Sequence, residues 1–297
     1  MSSKTAPKRN RVDPVNAGLK IWAILVYAFL FLPILIIVIY SFNSGRALES
    51  WDGFGTDWYR SLVDNPVIRK SVITSLKVAV GATIISTILG SLAGIALARR
   101  PGKWVIFFMG LVFLVLVTPE IVDAIALLIW YVRIKGPFGP GFSEIIDSDL
   151  INYGLMRLWV GHALFSTAVV TLIVRARLAG FDESLEEAAA DLYAPPGRRF
   201  RQITLPLMMP AVLAGALLAF SLSLDNTIIS SFVAVAGSSP WPVYVFSALR
   251  SVLRPEVAAI STIMLLLTLF ALSIVAIVLK RSGDSAEEVA KTLTGAG

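Results

Sequence analysis

Long apolar runs separated by short polar segments dominate the chain. Six of them approach or exceed the roughly 20 residues that a helix needs to cross a bilayer: about 21–42, 71–98, 104–131, 157–179, 207–235 and 257–279. The first follows a polar, basic tail, residues 1–20. It is too long for the apolar core of a signal peptide and no small-x-small cleavage site follows, so it reads as an uncleaved span. Pro33 is expected to kink it, and Thr118-Pro119-Glu120 interrupts the third run. Residues 43–70 mix Trp51, Phe54, Trp58 and Tyr59 with polar positions, a pattern suited to the headgroup level. A Gly- and Pro-rich loop covers 132–156. Val243 to Leu253 is too short to cross and reads as a re-entrant or surface helix.

Composition agrees with this pattern. The 297 residues are 56% hydrophobic and 15% charged, against about 25% charged in soluble domains. The expected fold is all-α: a polytopic membrane protein with six transmembrane helices in one domain, 21–280, followed by a polar tail, 281–297. The net charge of +6 does not point to nucleic acid, because the basic residues cluster at the ends of apolar runs. Sixteen Lys and Arg lie in the tails, the 99–103 turn and the 175–201 region, against nine on the other side, with Lys77 inside the second run. The positive-inside rule then places both termini and the loop 180–206 in the cytoplasm. There is no cysteine and only His162, which reads as a packed helix side chain. Gly102-Lys103 lacks the glycine that a phosphate-binding loop needs five residues earlier, and no nucleophile set can be assembled. The chain reads as a non-enzyme with no cofactor of its own.

The loop 180–206 has an ordered pattern of its own. Glu183 to Leu192 is rich in helix formers, with Asp182, Glu183, Glu186 and Glu187 near the end that favours anions. Pro195-Pro196-Gly197 stops that helix, and a second can start there and run through Phe200 and Ile203 until Leu205-Pro206 breaks it. A helical hairpin results.

Glu187-Ala188-Ala189, Ala194, Phe200, Ile203, Leu205-Pro206 and Pro210 resemble the EAA signature of ABC-importer permeases. The resemblance implies a type I ABC-importer fold in which these residues seat the hairpin on a pair of ATPase subunits, where ATP and Mg would bind. Tyr193 stands where the family has a glycine, which implies a different turn or strain, with Pro195-Pro196 setting the bend. Further stretches, among them Tyr27 to Ser44, Trp51 to Tyr59, Thr118 to Val122, Leu222 to Asp225 and Ser230 to Val233, are similar to the second permease subunit of spermidine/putrescine importers. That implies a second permease, an extracytoplasmic binding protein and a polyamine substrate. Asn226 stands where the resemblance leads one to expect a second acid.

Ionisable groups inside spans are functional candidates by default. Glu120 and Asp123 share one helix face, and at about 1.5 Å per residue Glu120 and Asp225 are expected at similar depth in the outer half of the bilayer. With Asn226 and Tyr244 they form the candidate substrate path. Carboxylates pair with ammonium groups, and Trp130, Tyr131, Trp241 and Tyr244 offer cation–π contacts. Three other readings stand beside this one. An ion-gradient transporter or channel shares the acids but leaves the hairpin unexplained. A membrane enzyme lacks its chemistry. An ABC importer for iron, sulfate, an amino acid or a sugar differs only in the path.

Overall fold

A computed structural model describes residues 14–47, 50–99, 102–133, 153–180, 182–248, 250 and 255–281. Most of the expected tails and of the 132–156 loop, and Arg100-Pro101 in the basic turn, lie outside the described residues. Twelve α-helices follow in order among those described: α1 Pro14–Tyr40, α2 Asp57–Asp64, α3 Pro66–Arg99, α4 Lys103–Val117, α5 Glu120–Arg133, α6 Tyr153–Ala179, α7 Ser184–Asp191, α8 Pro196–Arg199, α9 Leu205–Asp225, α10 Ile228–Val233, α11 Trp241–Ala248 and α12 Pro255–Arg281. A π-helical turn, Phe200–Thr204, joins α8 to α9.

By contact the chain falls into two compact units, Met1–Ser61 with Leu253–Ile263 and Leu62–Val252 with Met264–Gly297. In the first unit, α1 is apolar all round and its membrane-length stretch Gly18–Tyr40 is not buried at all. A helix with no polar face suits an apolar surrounding. Beyond α1 the chain is tied into a knot around Asn43, whose side chain is fully buried. Its Oδ1 accepts the Gly45 and Asp52 amides and its Nδ2 donates to the Ala47 and Ser50 carbonyls. Phe42 stacks on Phe54.

In the second unit, α3, α6 and α9 pack on one another. The α3–α6 contact rests on Gly90 and Gly94, spaced to fall on one helix face. A Cβ on Gly90 would lie 2.9 Å from the Thr167 carbonyl oxygen, and one on Gly94 would lie 2.9 Å from that of Thr171. Backbone cannot move aside as a side-chain tip can. Gly94→Val is therefore expected to destabilise the purified protein by about 1–3 kcal/mol, read as a lowered midpoint in a thermal unfolding scan in detergent. An unchanged midpoint would mean that the two helices are not in this contact.

Two spans differ from the sequence reading. The third is no straight crossing: α4 and α5 are bent by 103°. Proline disfavours the helical conformation of the residue before it, and Thr118 is extended (φ −62°, ψ 129°). Thr118 closes α4 by donating from its backbone N and its Oγ1 to the Leu114 carbonyl (2.9 and 2.7 Å). The Pro119 carbonyl then accepts Val122 N at 2.8 Å and starts α5. Each arm, 15 and 14 residues long, is about 22 Å, short of the roughly 30 Å hydrocarbon core. Depth counted along a straight helix therefore does not apply to Glu120 or Asp123.

The fifth span ends at Asp225, not near 235, because Asn226 is extended (φ −69°, ψ 99°). At its other end, Leu205-Pro206 does not break the helix. Leu205 N donates to the Phe200 carbonyl, five residues back. This widened turn lets the helix pass Pro206, which has no N–H and whose ring crowds the preceding turn. Residues Pro196–Asp225 form one continuous helix of 30 residues, about 45 Å long.

Candidate functional site

The long helix carries a candidate site at each end. At its start stands the hairpin. Asp182 Oδ1 accepts Ser184 N at 3.0 Å, and hydrogen bonds from Ser184 hold the Asp182 carboxyl below its ordinary range. α7 then closes with two hydrogen bonds: Tyr193 N donates to the Ala190 carbonyl (2.9 Å) and Ala194 N to that of Ala189 (3.0 Å). This pair defines a Schellman turn, whose C′ residue is left-handed and usually glycine. Tyr193 occupies that position with φ +57°. The turn is thus not different from what a glycine would make, and the bend is not left to Pro195-Pro196. Tyr193 carries the strain instead. Its ring is 95% exposed and Leu192 beside it is 82% exposed. Tyr193→Gly is expected to raise hairpin stability by about 1 kcal/mol, since removing the Cβ relieves the left-handed penalty. Hydrogen exchange of the α7 amides would read this as slower opening, and faster exchange would contradict it.

The residues of the EAA signature divide by exposure. Glu187, Ala188, Phe200, Leu205 and Pro206 are exposed, while Ala189, Ala194 and Ile203 are half-buried. Glu187 forms its backbone bond to the Glu183 carbonyl (3.1 Å), and its carboxylate has no hydrogen-bond partner among the described residues. Its neighbour Glu186 faces inward. Arg99, the last residue of α3, grips Glu186 with two parallel hydrogen bonds of 2.7 and 2.6 Å. Thr204 in the π-turn donates its hydroxyl to the same carboxylate. Partial burial alone would push the Glu186 carboxyl up. The bonds from Thr204 and Arg99 and the charges of Arg99 and Arg199 outweigh it and hold the group below the usual carboxylate value. Sequence reasoning placed Arg99 only as an orientation charge and Glu186 only as a helix-start acid; their signal was opposite charge, which has no spacing rule across 87 residues.

At the far end of the long helix, the Asn226 Nδ2 donates to Glu120 Oε1, and its Oδ1 accepts Ile229 N at 3.0 Å, opening α10. Asn226 therefore ties the end of α9 to the first residue of α5. α10 packs on α5 and α6, within a core of Val78, Ala124, Tyr131, Leu155, Leu158, Ile229 and Val233. Glu120 and Asp123 both lie in the first turn of α5, where the helix dipole favours a carboxylate. Asp225 ends α9 and is exposed. The structure joins Glu120, Asn226 and, through the chain, Asp225; Asp123 follows one turn along α5. Tyr244 belongs elsewhere, on α11, stacked on the buried Trp241 at 5.4 Å.

Tyr131 is not available as a cation–π face. It is buried, and the Arg157 guanidinium covers its ring at 4.6 Å from the centroid. Its hydroxyl donates to the Arg157 carbonyl at 3.0 Å. Arg157, only 7% exposed, also donates to the Tyr153 hydroxyl at 3.2 Å. His162 is packed, with ring nitrogens 2.7 Å from Ser223 Oγ and 2.9 Å from Ser230 Oγ. It pins α6 to both sides of the break at Asn226. Those serines sit in stretches that carry the resemblance, yet nothing in the sequence pointed them at His162.

A bent third span, a helical hairpin opening onto a long helix and an acidic break at its far end describe a transport permease. Residues 86–284 match the family of binding-protein-dependent transport system inner membrane components, and the chain belongs to that family. It is 36% identical over 264 residues to the putrescine transport system permease protein PotI of Escherichia coli (strain K12), covering 86% of this chain and 89% of that one. It is 37% identical over 245 residues to the spermidine/putrescine transport system permease protein PotC of Haemophilus influenzae, covering 82% and 90%. Its fold is also that of a bacterial ABC transporter involved in the import of the acidic polysaccharide alginate. That likeness has a TM-score of 0.67 over 91% of this chain and 95% of the other, at 14% identity.

Proposed function

We propose that the chain is one permease of an ATP-driven importer for a polyamine such as putrescine or spermidine. A second permease completes the path, a binding protein delivers the substrate from outside, and two ATPase subunits that hold ATP and Mg seat the hairpin. Both termini and the hairpin lie in the cytoplasm. The observation that carries this reading is the unbroken helix Pro196–Asp225. It links a hairpin with an exposed carboxylate, Glu187, to a cluster of carboxylates in the membrane part. A rigid helix is a direct mechanical path between two sites whose states must be coupled. Glu120, Asp123 and Asp225 supply negative charge for ammonium groups, with Asn226 holding the cluster together.

The test is uptake of labelled putrescine into proteoliposomes that contain both permeases, the ATPase and the binding protein. Uptake is expected to require ATP and to persist when ion gradients are collapsed. Uptake that follows an ion gradient without ATP would overturn the reading in favour of a secondary transporter.

A further inference from the structure

We propose that Arg99, Glu186 and Thr204 form a clamp that makes the end of α3 follow the hairpin during transport. The proposal rests on the permease reading and adds positioning residues to it. The hairpin is continuous in sequence with α6 on one side and with the long helix on the other. α3 has no such link: its last residue is 87 positions from Glu186. The Glu186 carboxylate closes that gap. It takes two bonds from Arg99 and one from Thr204, so that one side chain binds the end of α3, the first turn of α7 and the π-turn.

Geometry separates this contact from an ordinary surface pair. Two parallel bonds between planar groups are directional, so α7 cannot tilt away from α3 without losing both. The Arg99 and Glu186 side chains are 25% and 21% exposed, and such shielding leaves them less screened than a solvated pair. Thr204 is buried, inside the turn where the helix changes register. Beyond the clamp, α3 is held to α6 by the Gly90 and Gly94 contacts. A push on α7 therefore reaches α3 and α6 together, rather than only the helix that follows the hairpin.

A merely structural ion pair would alter stability and leave the transport stoichiometry alone. The decisive readout is putrescine imported per ATP hydrolysed by the complete complex in proteoliposomes. Arg99→Gln and Glu186→Gln are each expected to lower that ratio on the order of tenfold. The exchanged pair, Arg99→Glu with Glu186→Arg, is expected to restore it to within about threefold, since the attraction survives with its ends reversed. Thr204→Val keeps both charges and is expected to fall between the wild type and the single variants. It carries the test if a charge variant fails to bind the ATPase. A ratio equal to that of the wild type in every assembled variant would overturn the clamp, as would an exchanged pair no better than its singles. Failure of the wild-type complex to import with ATP would instead overturn the permease reading, so the two failures are distinct.

Discussion

Glu187→Ala is expected to lower ATP-driven putrescine uptake by about 10- to 100-fold while the protein still folds and inserts. Glu187 is exposed in the first turn of α7, with no hydrogen-bond partner for its carboxylate among the described residues. Removing an exposed, unpartnered side chain changes stability by no more than about 0.5 kcal/mol. Losing one member of a hydrogen-bonded charge pair in a closed interface costs about 2–5 kcal/mol. The gap between those figures is what makes the variant informative. Glu186→Ala also removes the anchor for Arg99 and Thr204, so its loss of uptake would come with a looser hairpin. Uptake assays beside thermal unfolding of the same preparations separate the two cases. Normal uptake by Glu187→Ala would remove the hairpin's proposed docking role.

The second large effect is expected at the other end of the long helix. Glu120→Gln combined with Asp225→Asn should raise the KM for putrescine uptake by about tenfold or more, at a loss of 1–3 kcal/mol of charge-assisted binding. Glu120→Gln keeps a side-chain carbonyl to accept the Asn226 amide, so it reports on charge and not on the joint between α5 and α9. Asp225→Asn has the more telling sign. An acid in the last turn of a helix opposes the dipole, and neutralising it should stabilise the fold by about 0.3–1 kcal/mol. A variant that is slightly more stable yet transports less well would show that Asp225 is kept for function at a small cost to the fold. Unchanged KM in the double variant would remove these carboxylates from the substrate path.

Most of the helices were legible because lipid imposes a simple length rule. Apolar runs of 20 or more residues stand out whatever they pack against. The hairpin was legible because its helix formers, prolines and signature residues are local signals. At Tyr193 the sequence implies a different turn or strain, and the structure has the strain, with φ +57° in an ordinary Schellman turn. Glycine preference is a statement about cost, and a Schellman turn with both bonds made holds a tyrosine in the left-handed region. The break expected at Leu205-Pro206 is absent for a related reason: a π-turn accommodates a proline that a regular helix would not.

By itself the sequence determined the polytopic membrane character, the number of apolar segments, the place of the hairpin and the acids that stand out in a dry chain. Each of these follows from residue type and spacing along one dimension. The tertiary structure alone decided the 103° bend, the end of α9 at Asp225, the Glu120–Asn226 joint, the occupation of Tyr131 by Arg157, the His162 pin and the grip of Arg99 on Glu186. The bend at Thr118-Pro119 and the end of α9 at Asn226 are local changes of backbone conformation inside apolar runs; the others are contacts between residues far apart in the chain. Such contacts exist only once helix packing has brought the ends together, and no local propensity records them.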